Sequence, residues 1–128
     1  FANNLDGLAS SFTASGDILV IGKSKRELLR AFQRMKELGG GIVIAEEDKV
    51  LFELPLPLLG QMSKEALEKL IPLEKRLVQL LQERGYPFRD PLYTLSFFTA
   101  THLPYVRVTP SGVYEVKKKR VLFPSVMR

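Results

Sequence analysis

The segment 38–63 constrains the fold of this chain more than any other part of it. It reads Leu-Gly-Gly-Gly-Ile-Val-Ile-Ala-Glu-Glu-Asp-Lys-Val-Leu-Phe-Glu-Leu-Pro-Leu-Pro-Leu-Leu-Gly-Gln-Met-Ser. The glycines are typical of a helix end. Residues 42–45 and 49–54 have the composition of strands, and the acidic tripeptide between them predicts a hairpin turn. Because Pro55 and Pro57 cannot donate to a strand ladder, we expect the pairing to end there.

Two stretches show helical spacing of apolar residues. Ser24 begins a capping-box pattern, which predicts a first helix over residues 24–38. Ser63 is a suitable N-cap for a second helix over residues 64–84. Pro72 lies inside this second helix and should kink or split it, because proline has no backbone N–H to donate.

The remaining segments are assigned from their apolar runs. Residues 18–21 are continuously apolar, which predicts a strand buried on both faces, whereas residues 1–16 read as a lead-in or loop. Residues 92–100 form either a buried strand or an irregular core segment. Short strands are also predicted at 105–109, 113–116 and 120–123. These elements indicate an α/β fold, a single domain with a mixed β-sheet and two main helices packed on it. We expect residues 18–21 to pair with residues 42–45.

Composition excludes several classes of protein. A chain of 128 residues has the size of one domain, and none of its apolar runs approaches the ~18 residues that span a bilayer. Since it has no cysteine, it cannot form disulfides or thiolate metal sites, and we expect a cytoplasmic location. His102 is the sole histidine, so neither a hydrolytic metal centre nor a Ser-His-Asp triad is indicated. The start at Phe1 suggests a fragment of a longer protein.

The net charge of +5 raises the question of an acidic partner. Arg26, Arg30 and Arg34 recur every four residues and therefore line one helix face, which we call the arginine stripe. It is either a solvated face or a site for an acidic partner such as RNA. Residues 117–120, Lys-Lys-Lys-Arg, are typical of an edge strand protected by lysine. Three spaced charges without exposed aromatics predict only weak binding of nucleic acid.

A second block of sequence joins segment 38–63 in pointing to a known family. It comprises Asp-Pro-Leu-Tyr-Thr-Leu-Ser-Phe-Phe at 90–98, Val-Arg-Val-Thr at 106–109 and Gly-Val-Tyr-Glu-Val at 112–116. The two blocks resemble the C-terminal domain of adenine deaminases of the amidohydrolase superfamily. The resemblance implies that residues 1–128 form such a domain, preceded by a catalytic (β/α) barrel that this chain lacks. It further implies a hydrolase of purine metabolism, whose barrel holds a divalent metal of the Mn or Fe type and converts adenine to hypoxanthine and ammonia.

The resemblance also points to a loop and to partners. In the family, His-Asp-Ser-His-Asn precedes the strand equivalent to 18–21 and is associated with the active site. By register this chain has Thr-Ala-Ser-Gly-Asp there, so Thr13, Ser15 and Asp17 are the predicted lining residues. The implied partners are the chain's own N-terminal barrel and adenine or a related molecule, and a homo-oligomer is compatible with them. No membrane partner is expected.

Three functional interpretations remain open. The first is an auxiliary domain of an adenine deaminase-like enzyme, with no catalytic residue, cofactor or bound metal of its own. The second is a divergent amidohydrolase that acts on another cyclic amidine or amide, because both histidines of the family segment are replaced. The third is a non-catalytic module that binds an acidic partner through the arginine stripe.

Overall fold

The centre of the fold is strand β1 (Gly7–Ser10), in which every residue is buried. The structure is a computed structural model that describes residues 1–126, so the last two residues of the predicted domain lie outside it. Strand β1 pairs on one side with β2 (Leu19–Ile21) and on the other with β3 (Gly41–Glu46), and β3 pairs with β4 (Lys49–Pro55). The sheet therefore has the order β2-β1-β3-β4, and all of its ladders are antiparallel.

Helices cover both faces of this sheet. Helix α1 (Lys25–Glu37) packs on one face, where small side chains let it come close: a Cβ at Gly7 would lie 2.4 Å from the backbone carbonyl carbon of Glu27. The larger core lies on the other face, against α2 (Leu67–Glu83) and α3 (Pro91–Phe97). Its completely buried side chains include Leu5, Leu8, Ile42, Ile44, Leu77, Leu81 and Leu95.

The helix ends follow local signals. Ser24 caps α1 by accepting a hydrogen bond from the backbone N–H of Glu27. The helix stops before Gly39, whose φ of +75° is the left-handed conformation that favours glycine. Helix α2 begins at Leu67 rather than directly after Ser63, because the Ser63 hydroxyl instead accepts from the N–H of residue 65 in the preceding turn. It continues without a break through Pro72, so of the predicted kink or split, the split is wrong.

A second sheet has three antiparallel strands, β5 (Val106–Thr109), β6 (Gly112–Glu115) and β7 (Arg120–Pro124). All three were predicted to within two residues. The link to the main body includes a hydrogen bond from the N–H of Val108 to the carbonyl of Phe98, 3.1 Å long. Lysines 117–119 form the turn between β6 and β7, so the prediction of an edge strand there is wrong. No helix in the described part of the chain is long and apolar enough to cross a membrane.

The α/β class and the packing of helices on a sheet are confirmed, but several details differ. Residues 18–21 do not pair with residues 42–45, because β1, which was predicted as part of a lead-in loop, lies between them. Strand β2 is consequently an edge strand in which Val20 is exposed, and Ile18, directly before it, is exposed as well. Both sheets are antiparallel rather than mixed. Residues 91–97 form helix α3, because Asp90 caps its first turn at 2.8 Å.

The close contact of two glycines generates a prediction about stability. A Cβ at Gly40, where φ is +119°, would lie 2.7 Å from the Cα of Gly60. We expect Gly40→Ala to lower the free energy of unfolding by at least about 2 kcal/mol, because backbone must move. Gly16 has a φ of +77° but no heavy atom within 4 Å of the added carbon, so Gly16→Ala should cost about 1 kcal/mol. Urea unfolding measures the loss of stability in each variant, and equal losses would contradict the close contact of Gly40 with Gly60.

Candidate functional site

The predicted lining loop, residues 13–17, connects β1 to β2 at one end of the central strand. Thr13 is buried, and its hydroxyl donates to the backbone carbonyl of Asp17 at 2.6 Å. The N–H of Gly16 donates back to the carbonyl of Thr13 at 3.3 Å. The side chain of Thr13 therefore closes the loop, whereas Ser15 and Asp17 are the predicted residues that face solvent.

Ser15 and Asp17 lie beside a cleft between the loop and the second sheet. The hydroxyl of Ser15 shares a 2.5 Å hydrogen bond with that of Thr99, which lies in the turn directly after α3. The cleft has a volume of about 220 Å³ and is lined by Asp17, Ile18, Leu19, Thr99, Val108, Thr109 and Pro110. A carboxylate accepts hydrogen bonds, and hydroxyls both donate and accept. The cleft therefore presents groups that can accept hydrogen bonds from N–H groups and donate them to ring nitrogens.

The loop is held from two directions by groups distant in the sequence. The side-chain amide of Gln61 donates to the carbonyls of Ser11 and Thr13, at 2.7 and 3.2 Å. On the other side, the N–H of Ala14 donates to the carbonyl of Ser96 at 2.6 Å. Because these bonds satisfy backbone groups on both sides, the body of the domain fixes the loop in addition to the bonds that Thr13 forms within it.

The position of the loop could be predicted from the sequence, but the residues that hold it could not. Gln61 lies in the proline-rich exit of segment 38–63, and nothing in that spacing shows that its amide reaches 48–50 positions back. Thr99 follows a segment that was assigned as strand or irregular core. The signal that indicates this helix is the cap at Asp90, from which α3 extends to its C-cap at Phe98.

The ligand chemistry of the loop is limited to hydrogen bonding. Among residues 1–126, no group of three His, Cys, Asp or Glu side chains converges to hold a metal ion. His102 is exposed in a turn, where its ring meets the edge of Phe97 at a centroid distance of 6.3 Å. The groups around Asp17 therefore do not fit a metal centre, and what they provide is the carboxylate of Asp17 with the hydroxyls of Ser15 and Thr99.

The arginine stripe is neutralised by neighbouring carboxylates. Arg26 and Arg30 both bind Asp48 in the β3–β4 turn, and the Arg30 contact is 2.7 Å long. Arg34 forms two hydrogen bonds with Glu53, at 2.8 and 3.2 Å, and a third with Glu37. These carboxylates raise the pKa of Arg34 above its usual value, chiefly through the hydrogen bond with Glu53. All three arginines thus have partners within the domain, and an acidic ligand would have to displace those carboxylates.

Fold and loop together define an accessory domain, which positions a few hydrogen-bonding groups on a rigid α/β body. The chain belongs to the adenine deaminase C-terminal domain family, whose model matches residues 1–120. It is 56% identical over its full 128 residues to a Bacillus subtilis (strain 168) protein named "Putative adenine deaminase YerA". It is 32% identical over 104 residues, 81% of this chain, to a Brucella abortus (strain 2308) protein named "Adenine deaminase". The chain spans only 22% and 18% of the lengths of these two relatives.

The paired state of the arginine stripe generates a prediction about nucleic acid. We expect single-stranded RNA to bind with a Kd of about 100 µM or weaker at physiological salt, in the range of non-specific contacts, and binding should fade as salt rises. Arg30→Glu and the matched charge reversal Lys117→Glu should change this affinity to a similar, small extent. Fluorescence anisotropy measures both. A submicromolar complex lost only in Arg30→Glu would instead favour the binding-module interpretation.

Proposed function

We propose that this chain is the C-terminal auxiliary domain of an adenine deaminase-like metallohydrolase, which in its full-length form converts adenine to hypoxanthine and ammonia. The family supports this proposal, as does the name of the Brucella abortus relative, "Adenine deaminase". In this proposal the divalent metal, of the Mn or Fe type, is held by an N-terminal barrel and supplies the activated water. The proposed location is the cytoplasm, and a homo-oligomer is compatible with the proposal.

The observation that carries the proposal is the fixed loop beside the cleft. Gln61 and the carbonyl of Ser96 hold the backbone of the loop, while Ser15 and Asp17 remain exposed. An amino group or a ring N–H of a substrate would donate to the carboxylate of Asp17, and a ring nitrogen would accept from a hydroxyl. Preorganised groups of this kind orient a bound ring without a further entropic cost of ordering. We infer that the role of the domain is to orient substrate, while the chemistry takes place on the barrel.

The loop also supports a proposal about the efficiency of the enzyme. Thr13 and Gly16 stand where the family segment has histidines, and neither residue can transfer a proton near neutral pH. We therefore propose that the full-length protein turns over adenine more slowly than is usual for the family, or acts on another cyclic amidine or amide. In either case, substrate orientation would depend mainly on Asp17 and Ser15.

Removal of the Asp17 carboxylate tests the role of the loop. In the full-length protein, we expect Asp17→Ala to lower kcat/KM for adenine about 10- to 100-fold, because a hydrogen bond to a charged group contributes ~1.5–3 kcal/mol. Glu83→Ala removes a half-exposed carboxylate at the end of α2 and should leave kcat/KM unchanged. Steady-state assays of ammonia release measure both. Efficient adenine turnover that survives Asp17→Ala and Ser15→Ala would show that the loop is only a connector.

Restoration of the family segment tests the substrate. The combined changes Thr13→His, Ala14→Asp, Gly16→His and Asp17→Asn should raise adenine turnover by the full-length protein if adenine is its substrate, because imidazole can exchange protons near neutral pH. Thr13 is buried, so the unfolding temperature of the variant must be measured beside its activity. A folded variant without improved adenine turnover would favour another cyclic amidine or amide.

A further inference from the structure

Leu59 combines two unfavourable features in one residue. Its side chain is 89% exposed, and its φ of +56° lies in the left-handed region. It occupies a tight turn in which the N–H of Gln61 donates to the carbonyl of Leu58 at 3.0 Å, and Gly60, the other central residue, also has positive φ. Turns of this kind favour Asn, Asp or Gly at both central positions. Leucine therefore serves neither the turn nor the core of this domain, which points to a role outside it.

The turn presents this side chain rigidly. The carbonyl of Gly60 accepts a hydrogen bond from the hydroxyl of Ser11 at 2.8 Å, and its Cα lies against Gly40. The N–H of Leu58 donates to the carbonyl of Met62 at 3.2 Å and closes the turn. Leu58 and Met62 are also exposed, so the three side chains Leu58, Leu59 and Met62 form an apolar surface that we call the apolar tip. An exposed leucine on a rigid support loses little entropy when a partner covers it.

The apolar tip is physically joined to the loop at 13–17. Gln61 belongs to the same turn, and its amide holds the carbonyls of Ser11 and Thr13. A partner that covers Leu59 therefore lies on the side of the domain where the loop is fixed. It would also stabilise the turn that keeps the loop in place.

We propose that the N-terminal barrel of the same polypeptide docks on the apolar tip, and that Leu59 inserts into it. This rests on the proposed function, which requires the barrel to meet the loop at 13–17. Two observations favour the barrel over other occupants. In the two relatives described above, the matched region is only 22% and 18% of the protein, so a full-length protein of this kind has a large further part that is available to cover the tip. The tip is also continuous with the loop through Gln61.

The test is amide hydrogen exchange of the full-length protein and two matched variants. Leu59→Asp keeps the turn, since Asp tolerates positive φ, but it places a charge at the tip. Leu29→Asp makes the same change at a leucine that is 60% exposed on α1, near the end of the helix opposite to Gly40. We expect residues 58–62 and 13–17 to exchange about tenfold faster or more in Leu59→Asp than in the unmodified protein. Leu29→Asp should leave both segments unchanged.

The outcomes separate this proposal from its rivals. Equal exchange in Leu59→Asp and the unmodified protein would overturn it. Protection that appears only as protein concentration rises, with a dimer in sedimentation that Leu59→Asp abolishes, would overturn it in favour of a second copy of the chain. Ammonia release from adenine and from other cyclic amidines is measured on the same samples. Protection at the tip without any ammonia release would retain the docking and reject the proposed function, whereas ammonia release without protection would reject the docking and retain the proposed function.

Discussion

The hydroxyl of Ser11 joins segments that are far apart in the sequence. It accepts a hydrogen bond from the N–H of Gly41 and donates one to the carbonyl of Gly60, both at 2.8 Å. Gly40 lies beside this hydroxyl and beside Gly60, because a carbon added at Gly40 would be 3.1 Å from the hydroxyl oxygen of Ser11 and 2.7 Å from the Cα of Gly60. Because Gly41 opens β3, the same contact helps to set the register of β3 against β1. The sheet register, the turn that carries Leu59 and the support of the loop all depend on this one arrangement.

Local signals predicted those elements whose ends are chemically marked. Helix α1 has a serine cap and a glycine stop, and the β3–β4 hairpin has apolar runs around an acidic turn. Strand β1 carries no comparable mark, since Gly7–Ser10 contains no β-branched or aromatic residue. It is a strand because helices bury both of its faces, and that burial is a tertiary effect invisible in a local window. Helix α3 does carry a local mark, the cap at Asp90, but its continuous apolar run favours a strand or core segment over a helix.

The candidate site also has one property that the sequence predicts and one that it does not. Its position could be predicted, since a loop that directly follows or precedes a buried strand is where a rigid scaffold places functional groups. Its geometry could not be predicted, because Gln61 and Thr99 reach the loop across separations of 48 and 84 residues. The structure also divides the roles of the predicted residues. The hydroxyl of Thr13 is engaged in the hydrogen bond that closes the loop, whereas Ser15 and Asp17 are exposed at the surface.

The net charge of the chain did not predict which groups its surface leaves available to a partner. A net charge of +5 suggests an acidic partner, but each arginine of the stripe already contacts a carboxylate, and Asp48 alone binds two of them. The exposed groups of the loop and of the neighbouring turn include instead the apolar side chains of Leu59 and Met62 and the carboxylate of Asp17. Apolar burial and short hydrogen bonds are screened little by salt. Recognition through these groups should therefore vary little with ionic strength, unlike binding through the arginine stripe.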